Sequence, residues 1–495
     1  MVRFCKPGSS SYGKDAADKE CGIAKRIKQN WIPLALGLIV LIAIIARTIY
    51  SYGLSAGNGF ALSGSSATEH QHTIVSILTG TFGLSDPSLN YPYGGTLMQP
   101  PFIDMILAGF AWIPTLLGVS AQTAAAGALA FSGPVAAAIT VILVYILGKE
   151  MFDRNIGIVS AFLFAVMPLP VVMSVFSDGT TMGILLMFFV IATLLMFRGI
   201  KALSSTEIRG IKAAFTPGVL KYTISAGLMF AIIALSWNGF IMIVTLLVFL
   251  MAAQAIISRL NKRDFGASFG AYATMISILI IIPLPYYVAA GLFSYVYTGP
   301  LLLSAISVAA VALFYYMRKK SNLKAFVIPI LAVAAAFVVL YFAAPQLFSD
   351  VTGGNAIYES SLLADLLKSQ NVGISKMASY YGWATVWMPF VMIAYLSYKL
   401  DKKNPSETKL MTVLWITGMF ILSWLSKDNA IMAGAMYSIV AASALTLLYR
   451  YVGMTEYFRT IRGGGWKASL KKFLRPEPFI SKLFNNETIK VPMRP

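Results

Sequence analysis

The chain has 495 residues, of which 58% are hydrophobic and only 12% charged, with a mean hydropathy of +0.73. A soluble protein of this size cannot cover so much apolar surface, so a soluble enzyme, a disordered chain and a coiled coil are excluded and a polytopic membrane protein is left. The formal net charge of +19 would suit a nucleic-acid binder, but the placement of the charges assigns them to membrane topology instead.

The first segment, Met1–Asn30, is polar and mixed in charge and lacks the form of a cleaved signal peptide. It holds both cysteines, Cys5 and Cys21, so no disulfide framework holds the fold. A helix needs about 20 apolar residues to cross a bilayer. Twelve apolar runs qualify, at 32–50, 124–147, 156–175, 181–197, 222–236, 239–257, 269–289, 299–317, 325–344, 381–398, 410–425 and 430–449. The expected fold is therefore all-α and polytopic, with about twelve transmembrane helices. A thirteenth apolar stretch, Pro101–Leu117, is short and sits inside a polar loop. We read it as an interfacial helix.

Lysine and arginine test this count. With the N-terminus in the cytoplasm, segments 1–31, 148–155, 198–221, 258–268, 318–324, 399–409 and 450–495 hold 35 of the 39 basic residues. Only Arg47, Lys368, Lys376 and Lys427 fall elsewhere. The positive-inside rule thus predicts a multi-pass cell-membrane protein with both termini cytoplasmic. A single span at 101–117 would break the alternation. The chain divides into a cytoplasmic segment 1–31, a membrane domain 32–449 and a basic tail 450–495 that can also meet anionic lipid heads.

Two outer loops are long, at about 51–122 and 344–380, and long loops in a compact membrane protein carry a task or meet a partner. Eight acidic residues are outer: Glu69, Asp86, Asp104, Asp178, Asp350, Glu359, Asp365 and Asp428. The first loop contains both histidines of the chain, in Thr68-Glu69-His70-Gln71-His72. Two imidazoles beside a carboxylate suit a divalent cation, although an ordinary solvated loop has the same look. The loop continues through Tyr91-Pro92-Tyr93-Gly94 to Pro101-Phe102-Ile103-Asp104. Further on, Ser174-Val175-Phe176-Ser177-Asp178-Gly179-Thr180 joins two spans through a tight turn. Asp178 there suits a cation near the membrane face, or a helix N-cap for the next span. Ser236-Trp237-Asn238-Gly239-Phe240 makes another turn, and Ala356-Ile357-Tyr358-Glu359 lies in the second long loop.

In this order the motifs resemble the catalytic subunit of oligosaccharyltransferase, above all its archaeal members, within the C-type glycosyltransferase fold. Thr68–His72 is similar to the D-E-x-x-H form of the first acidic motif, with the first acid replaced. Tyr91–Gly94 and Pro101–Asp104 resemble the Y-P-x-G and P-L-F-D stretches that follow it. Ser174–Thr180 resembles S-V-x-G-S-x-D-N-E, with Asp178 on its aspartate and Thr180 where a second acid or histidine is usual. Ser236–Phe240 is similar to S-W-G-G-Y, and Ala356–Glu359 to T-I-x-E. The resemblance covers roughly residues 30–450. No W-W-D-Y-G string, which reads the acceptor sequon in that family, occurs in these residues.

The resemblance implies a glycosyltransferase that moves a glycan from a polyprenyl phosphate or diphosphate carrier to a protein or peptide acceptor, on asparagine, at the outer face. It implies Mn²⁺ or Mg²⁺ as cofactor, with Glu69, His72 and Asp178 as ligands. Glu69, Asp178 and Glu359 would be the catalytic carboxylates, and Glu359 would meet the acceptor amide. Trp237, Asn238 and Tyr358 would contact substrate. Lys376 or Lys427, both outer cations, would hold the carrier phosphate. Membrane lipids are partners, nucleic acid is not, and there is room for a separate soluble outer subunit. Two other readings stand beside this one. The replaced acids at Thr68 and Thr180 suit a non-catalytic paralogue that scaffolds an assembly. A flippase for a lipid-linked substrate is the third, against which stands the near absence of ionisable residues in mid-span.

Overall fold

The computed structural model describes residues 31–343 apart from 57–59, 65, 87–92, 98, 318–319 and 321, together with residues 372–400 and 406–451. Glu359, Tyr358, Asp350, Asp365, Lys368, Tyr91, Pro92 and the tail beyond 451 lie outside the described residues.

The chain is mostly helical. In order come α1 (Trp31–Ala56), α2 (Ala67–Thr79), α3 (Phe102–Leu116), α4 (Ala121–Met151), α5 (Arg154–Val166) and α6 (Pro168–Val172). Then follow α7 (Met182–Leu203), α8 (Pro217–Ala234), α9 (Ile241–Leu260), α10 (Gly266–Ile281), α11 (Leu284–Ala289), α12 (Thr298–Tyr316) and α13 (Asn322–Ala343). The last are α14 (Ile374–Tyr381), α15 (Trp383–Lys399), α16 (Glu407–Ser423), α17 (Lys427–Met432) and α18 (Gly434–Tyr451). Among the described residues one antiparallel hairpin interrupts the helices, β1 (Ser85–Asp86) against β2 (Gly95–Thr96), with Ser85 opposite Thr96.

Seven helical segments among the described residues are long and apolar enough to cross a bilayer: 31–49, 121–151, 182–203, 217–234, 238–260, 266–289 and 298–316. Each coincides with one expected span. Of the other expected spans, 325–344 falls on the continuous 22-residue α13, and the rest are shorter or broken. The run 156–175 divides at Met167 and Pro168, because a proline is tolerated in a helix's first turn but cannot continue the one before it. The run 430–449 divides at Ala433 into α17 and α18. The stretch expected at the interface is α3, whose 15 residues span about 22 Å at 1.5 Å each. It buries Ile103, Asp104, Leu107, Ala108 and Ala111 and exposes Phe110, Trp112, Ile113 and Leu116.

Helix caps follow local chemistry where the sequence supplies it. Ser120 Oγ accepts the Thr123 N–H at 3.2 Å, and Asp153 Oδ1 accepts the Ile156 N–H at 2.8 Å. The core is a bundle in which α4 packs against α1, α3, α5 and α7, and α8 lies between α7 and α10. Small residues permit close approach. A Cβ on Gly133 of α4 would fall 2.9 Å from the Ser174 carbonyl oxygen, and one on Gly157 of α5 2.6 Å from the Tyr145 carbonyl oxygen. The bundle therefore brings α4 directly under the turn that follows α6.

Candidate active site

The candidate site is built on two turns held face to face. The segment before α2 and the turn after α6 are joined by main-chain bonds, Ser63 N–H to the Ser177 carbonyl at 3.0 Å and Gly64 N–H to the Asp178 carbonyl at 2.7 Å. Ser177 Oγ donates back to the Ala61 carbonyl at 2.5 Å. Both turns carry a residue in the left-handed region, Phe60 at φ 61° and Ser177 at φ 69°. Such backbone persists only where the surroundings over-determine it, and it concentrates at functional sites. An edge-to-face set of rings supplies part of that constraint, with Phe60, Phe131 and Phe176 at centroid separations of 4.9 to 6.3 Å. Gly179, at φ 71°, lets the turn pass Ala67, whose Cβ would sit 2.7 Å from a Cβ at 179.

Asp178 is half-buried, and Thr180 Oγ1 donates to its Oδ2. It does not cap the next helix. The residue at that position is Thr181, whose carbonyl accepts the Ile184 N–H at 3.0 Å. Of the two roles open to Asp178 in the sequence, capping is therefore removed.

Glu69 is in the first turn of α2, half-buried, two residues beyond Ala67. At 3.6 residues per turn it leaves the helix about 200° around from Ala67. Helical Cα–Cβ bonds lean towards the N-terminus, which is the end of α2 that meets the Asp178 turn. His70 and His72 take different partners. His70 Nδ1 is 2.8 Å from Asp104 Oδ1 in α3, and its Nε2 is 3.4 Å from Thr181 Oγ1. His72 is exposed on α2, and its Nε2 is 2.6 Å from Asp86 Oδ2 on the hairpin. Burial works against a charged His70 ring, but the Asp104 hydrogen bond and the charges of Asp104 and Glu69 prevail and raise its pKa above the ordinary value. Burial, opposed by His70, pushes the Asp104 carboxyl up. The pair thus holds a proton to higher pH than either group would alone. Among the described residues no group of three His, Cys, Asp or Glu side chains is placed to hold a metal ion.

Trp237 is buried, with its indole over Gly239, where a Cβ would meet the ring at 2.1 Å. Asn238 Oδ1 accepts from Tyr287 Oη at 3.3 Å, and that hydroxyl also donates to the Ala234 carbonyl at 2.9 Å. The Phe102 N–H donates to the Leu235 carbonyl at 3.1 Å, fastening the start of α3 to this turn. Both residues are thus part of the frame around the site.

Lys376 on α14 and Lys427 on α17 are exposed. Their helices lie together, since Tyr381 Oη of α14 donates to the Ala430 carbonyl of α17 and the Val372 N–H beside α14 donates to the Trp424 carbonyl before α17 at 3.3 Å. α14 packs against α6, and α17 against α7, the helices that flank the Asp178 turn. Burial, opposed by Lys427, pushes the Asp428 carboxyl up.

Three participants had weak signals in the sequence. Asp104 was one outer acid among eight, although a chain with two histidines leaves few partners for a buried acid. Arg47 was one of four basic residues outside the cytoplasmic segments, and Thr181 was the least marked of the three. Arg47 of α1 is 1% exposed and has no carboxylate partner among the described residues.

Comparison with known proteins gives a consistent set of relatives. Residues 79–296 match the family model described as oligosaccharyl transferase STT3, N-terminal. A dolichyl-phosphooligosaccharide-protein glycotransferase 3 from Archaeoglobus fulgidus is 23% identical over 388 residues, covering 74% of this chain and 44% of that protein. Among solved structures, an A. fulgidus oligosaccharyltransferase AglB in complex with an inhibitory peptide and a dolichol-phosphate superposes with a TM-score of 0.69 at 18% identity. That alignment covers 90% of this chain and 54% of the other. An A. fulgidus oligosaccharyltransferase in complex with Zn and sulfate gives a TM-score of 0.60 at 17% identity, covering 93% and 58%. The chain spans about half the length of these relatives.

Proposed function

From the match of residues 79–296 to the oligosaccharyl transferase STT3 family model, we propose that the chain transfers a glycan from a polyprenyl phosphate or diphosphate carrier to a protein acceptor. The acceptor atom is an asparagine amide nitrogen, and the reaction takes place at the outer membrane face. The observation that carries this reading is the main-chain clasp between the 61–64 segment and the Asp178 turn, which delivers two half-buried carboxylates, Asp178 and Glu69, from 109 positions apart to one end of the bundle. The distribution of basic residues supports the sidedness.

The donor chemistry fits a hard divalent cation. Mg²⁺, and Mn²⁺ with it, is commonly held by one or two carboxylates while water and substrate phosphates fill the other positions. Asp178 and Glu69 would hold it, with His72 and its partner Asp86 on the rim. When bound, such an ion neutralises the charge that grows on a departing diphosphate. The chain's own groups do the rest. Asp178 is steadied by the Thr180 hydroxyl and by a rigid turn, so its position costs little reorganisation. Lys376 and Lys427, exposed on helices that pack against α6 and α7, would draw the carrier's phosphate towards the site. Trp237 and Asn238 define the wall on the α3 side, and Glu359 with Tyr358 addresses the acceptor amide from the second long loop. An amide nitrogen is a poor nucleophile because its lone pair is delocalised, so a carboxylate that orients its N–H groups is the needed aid.

Two observations favour a second reading, a non-catalytic scaffold subunit. Glu69 leaves α2 on a different face from Ala67, and Thr180 occupies the position where a further ligand would strengthen the site. An in vitro transfer assay with lipid-linked glycan, a peptide library and Mn²⁺ with or without chelator separates the two. Transfer that needs the ion and disappears in Asp178→Asn supports the enzyme. Transfer unchanged in both Asp178→Asn and Glu69→Gln overturns it.

A further inference from the structure

Arg47 lies in α1, a membrane-spanning helix, where an ionised side chain is costly and is kept for a reason. It is fully enclosed, and among the described residues it forms no ion pair with a carboxylate. Its Nε donates to Ser174 Oγ at 2.7 Å, and its Nη1 donates to the carbonyls of Ala43 at 3.0 Å and Ala165 at 2.9 Å. Nη2 is buried with no hydrogen-bond partner. Its own carbonyl accepts the Phe176 N–H at 2.8 Å. One residue therefore grips both the first and third positions of the acidic turn. The next N–H in the turn, that of Ser177, goes to the Ala130 carbonyl of α4 at 3.1 Å. A tie between two helices does not need a cation. A neutral side chain would reach the Ala165 carbonyl without burying an uncompensated charge.

We propose that Arg47 is a positioning residue for the candidate site: it fixes the backbone of the Ser174–Asp178 turn, and through it the Asp178 carboxylate. This rests on the reading of Asp178 as a ligand to a divalent cation. Arg47 belongs to none of the motifs in the sequence.

The test uses the full chain in nanodiscs and two readouts. The first is hydrogen exchange of the 174–181 segment, and the second is Mn²⁺ affinity from the resonance of free Mn²⁺. Arg47→Met should speed exchange of the Phe176 to Asp178 amides at least tenfold while α8 and α9 keep their protection. Its Mn²⁺ dissociation constant should rise about 10–100-fold, the usual effect of losing an outer-shell support. Arg47→Lys, which keeps the charge but cannot reach both Ser174 and the carbonyls, should recover part of each change. Ser174→Ala should move both readouts in the same direction by less. Unchanged exchange in the 174–181 segment overturns the proposal, as does a uniform rise in exchange across all helices. If Arg47→Met does not fold, Arg47→Lys and Ser174→Ala decide by the same criteria. If the wild-type chain binds no Mn²⁺, the cation reading fails while the exchange measurement still judges Arg47.

Discussion

Gly64 donates its amide proton to the carbonyl of Asp178, and at 2.7 Å the two chains are so close that a methyl group on Gly64 would lie 2.2 Å from the same oxygen. Real Cβ atoms do not approach a carbonyl oxygen that closely, so one backbone would have to move. Gly64→Ala should therefore cut transfer at least tenfold with a smaller loss of thermal stability. Comparing turnover with melting temperature in the purified variant checks this. A fully active Gly64→Ala protein would show that the clasp is irrelevant to chemistry.

Asp178→Asn and Glu69→Gln keep shape and remove charge. Each should lower transfer by two orders of magnitude or more if the carboxylates hold the ion, given the tenfold rate change per 1.36 kcal/mol of lost stabilisation. Circular dichroism should be unchanged in both. His72→Ala, at an exposed rim position, should have a smaller effect that reads mainly as a higher Mn²⁺ requirement.

The His70–Asp104 pair makes stability depend on pH. Burial opposes the charged His70 ring, yet Asp104 and Glu69 raise its pKa, and burial raises that of Asp104. The folded protein thus binds protons more tightly than the unfolded chain at both groups. The stability from His70 is fully present below its unfolded value of about 6.5 and is lost as pH rises through the higher folded value. The melting temperature should fall over that interval, and Asp104→Asn should flatten the fall. His70→Ala leaves a buried carboxyl without its partner, and the loss should be about 3–5 kcal/mol.

Glu407 provides a test at the other end of the bundle. Burial raises its pKa, opposed by the hydrogen bond from Gln254 Nε2 and by Arg263. A raised carboxyl favours the folded state at low pH and penalises it as pH passes the folded value. Glu407→Gln should raise the melting temperature at pH 7 to 8 and give no gain near pH 4, measured by differential scanning fluorimetry.

Sidedness has an independent reporter in Asn486-Glu487-Thr488, an acceptor sequon in the basic tail. With that tail in the cytoplasm, Asn486 stays bare on mass spectrometry of protein expressed in a glycosylating host. A glycan there would reverse the assigned topology.

The sequence made the membrane class and the longest helices legible because twenty-residue apolar runs have no soluble alternative. It was less informative where prolines cut a run, as at Pro168, since hydropathy alone cannot tell a broken span from a continuous one. Asp178 was visible as an acid in a tight turn, and Glu69 as an acid beside two histidines. Their relation was not visible, because it is carried by backbone bonds of Ser63 and Gly64 that no side-chain pattern encodes. The division of labour between the histidines was equally hidden. His70 and His72 differ by one intervening residue, and only the helical phase of α2 sends one inwards to Asp104 and the other out to Asp86.

The main-chain clasp has an implication for engineering. Because the two segments of the clasp recognise each other through peptide groups, the Ser177 hydroxyl and the bare Gly64, neither can be optimised in isolation. A chimaera with a relative would have to exchange residues 60–70 and 174–181 as a matched set, and a graft of either alone would arrive in a socket cut for a different key.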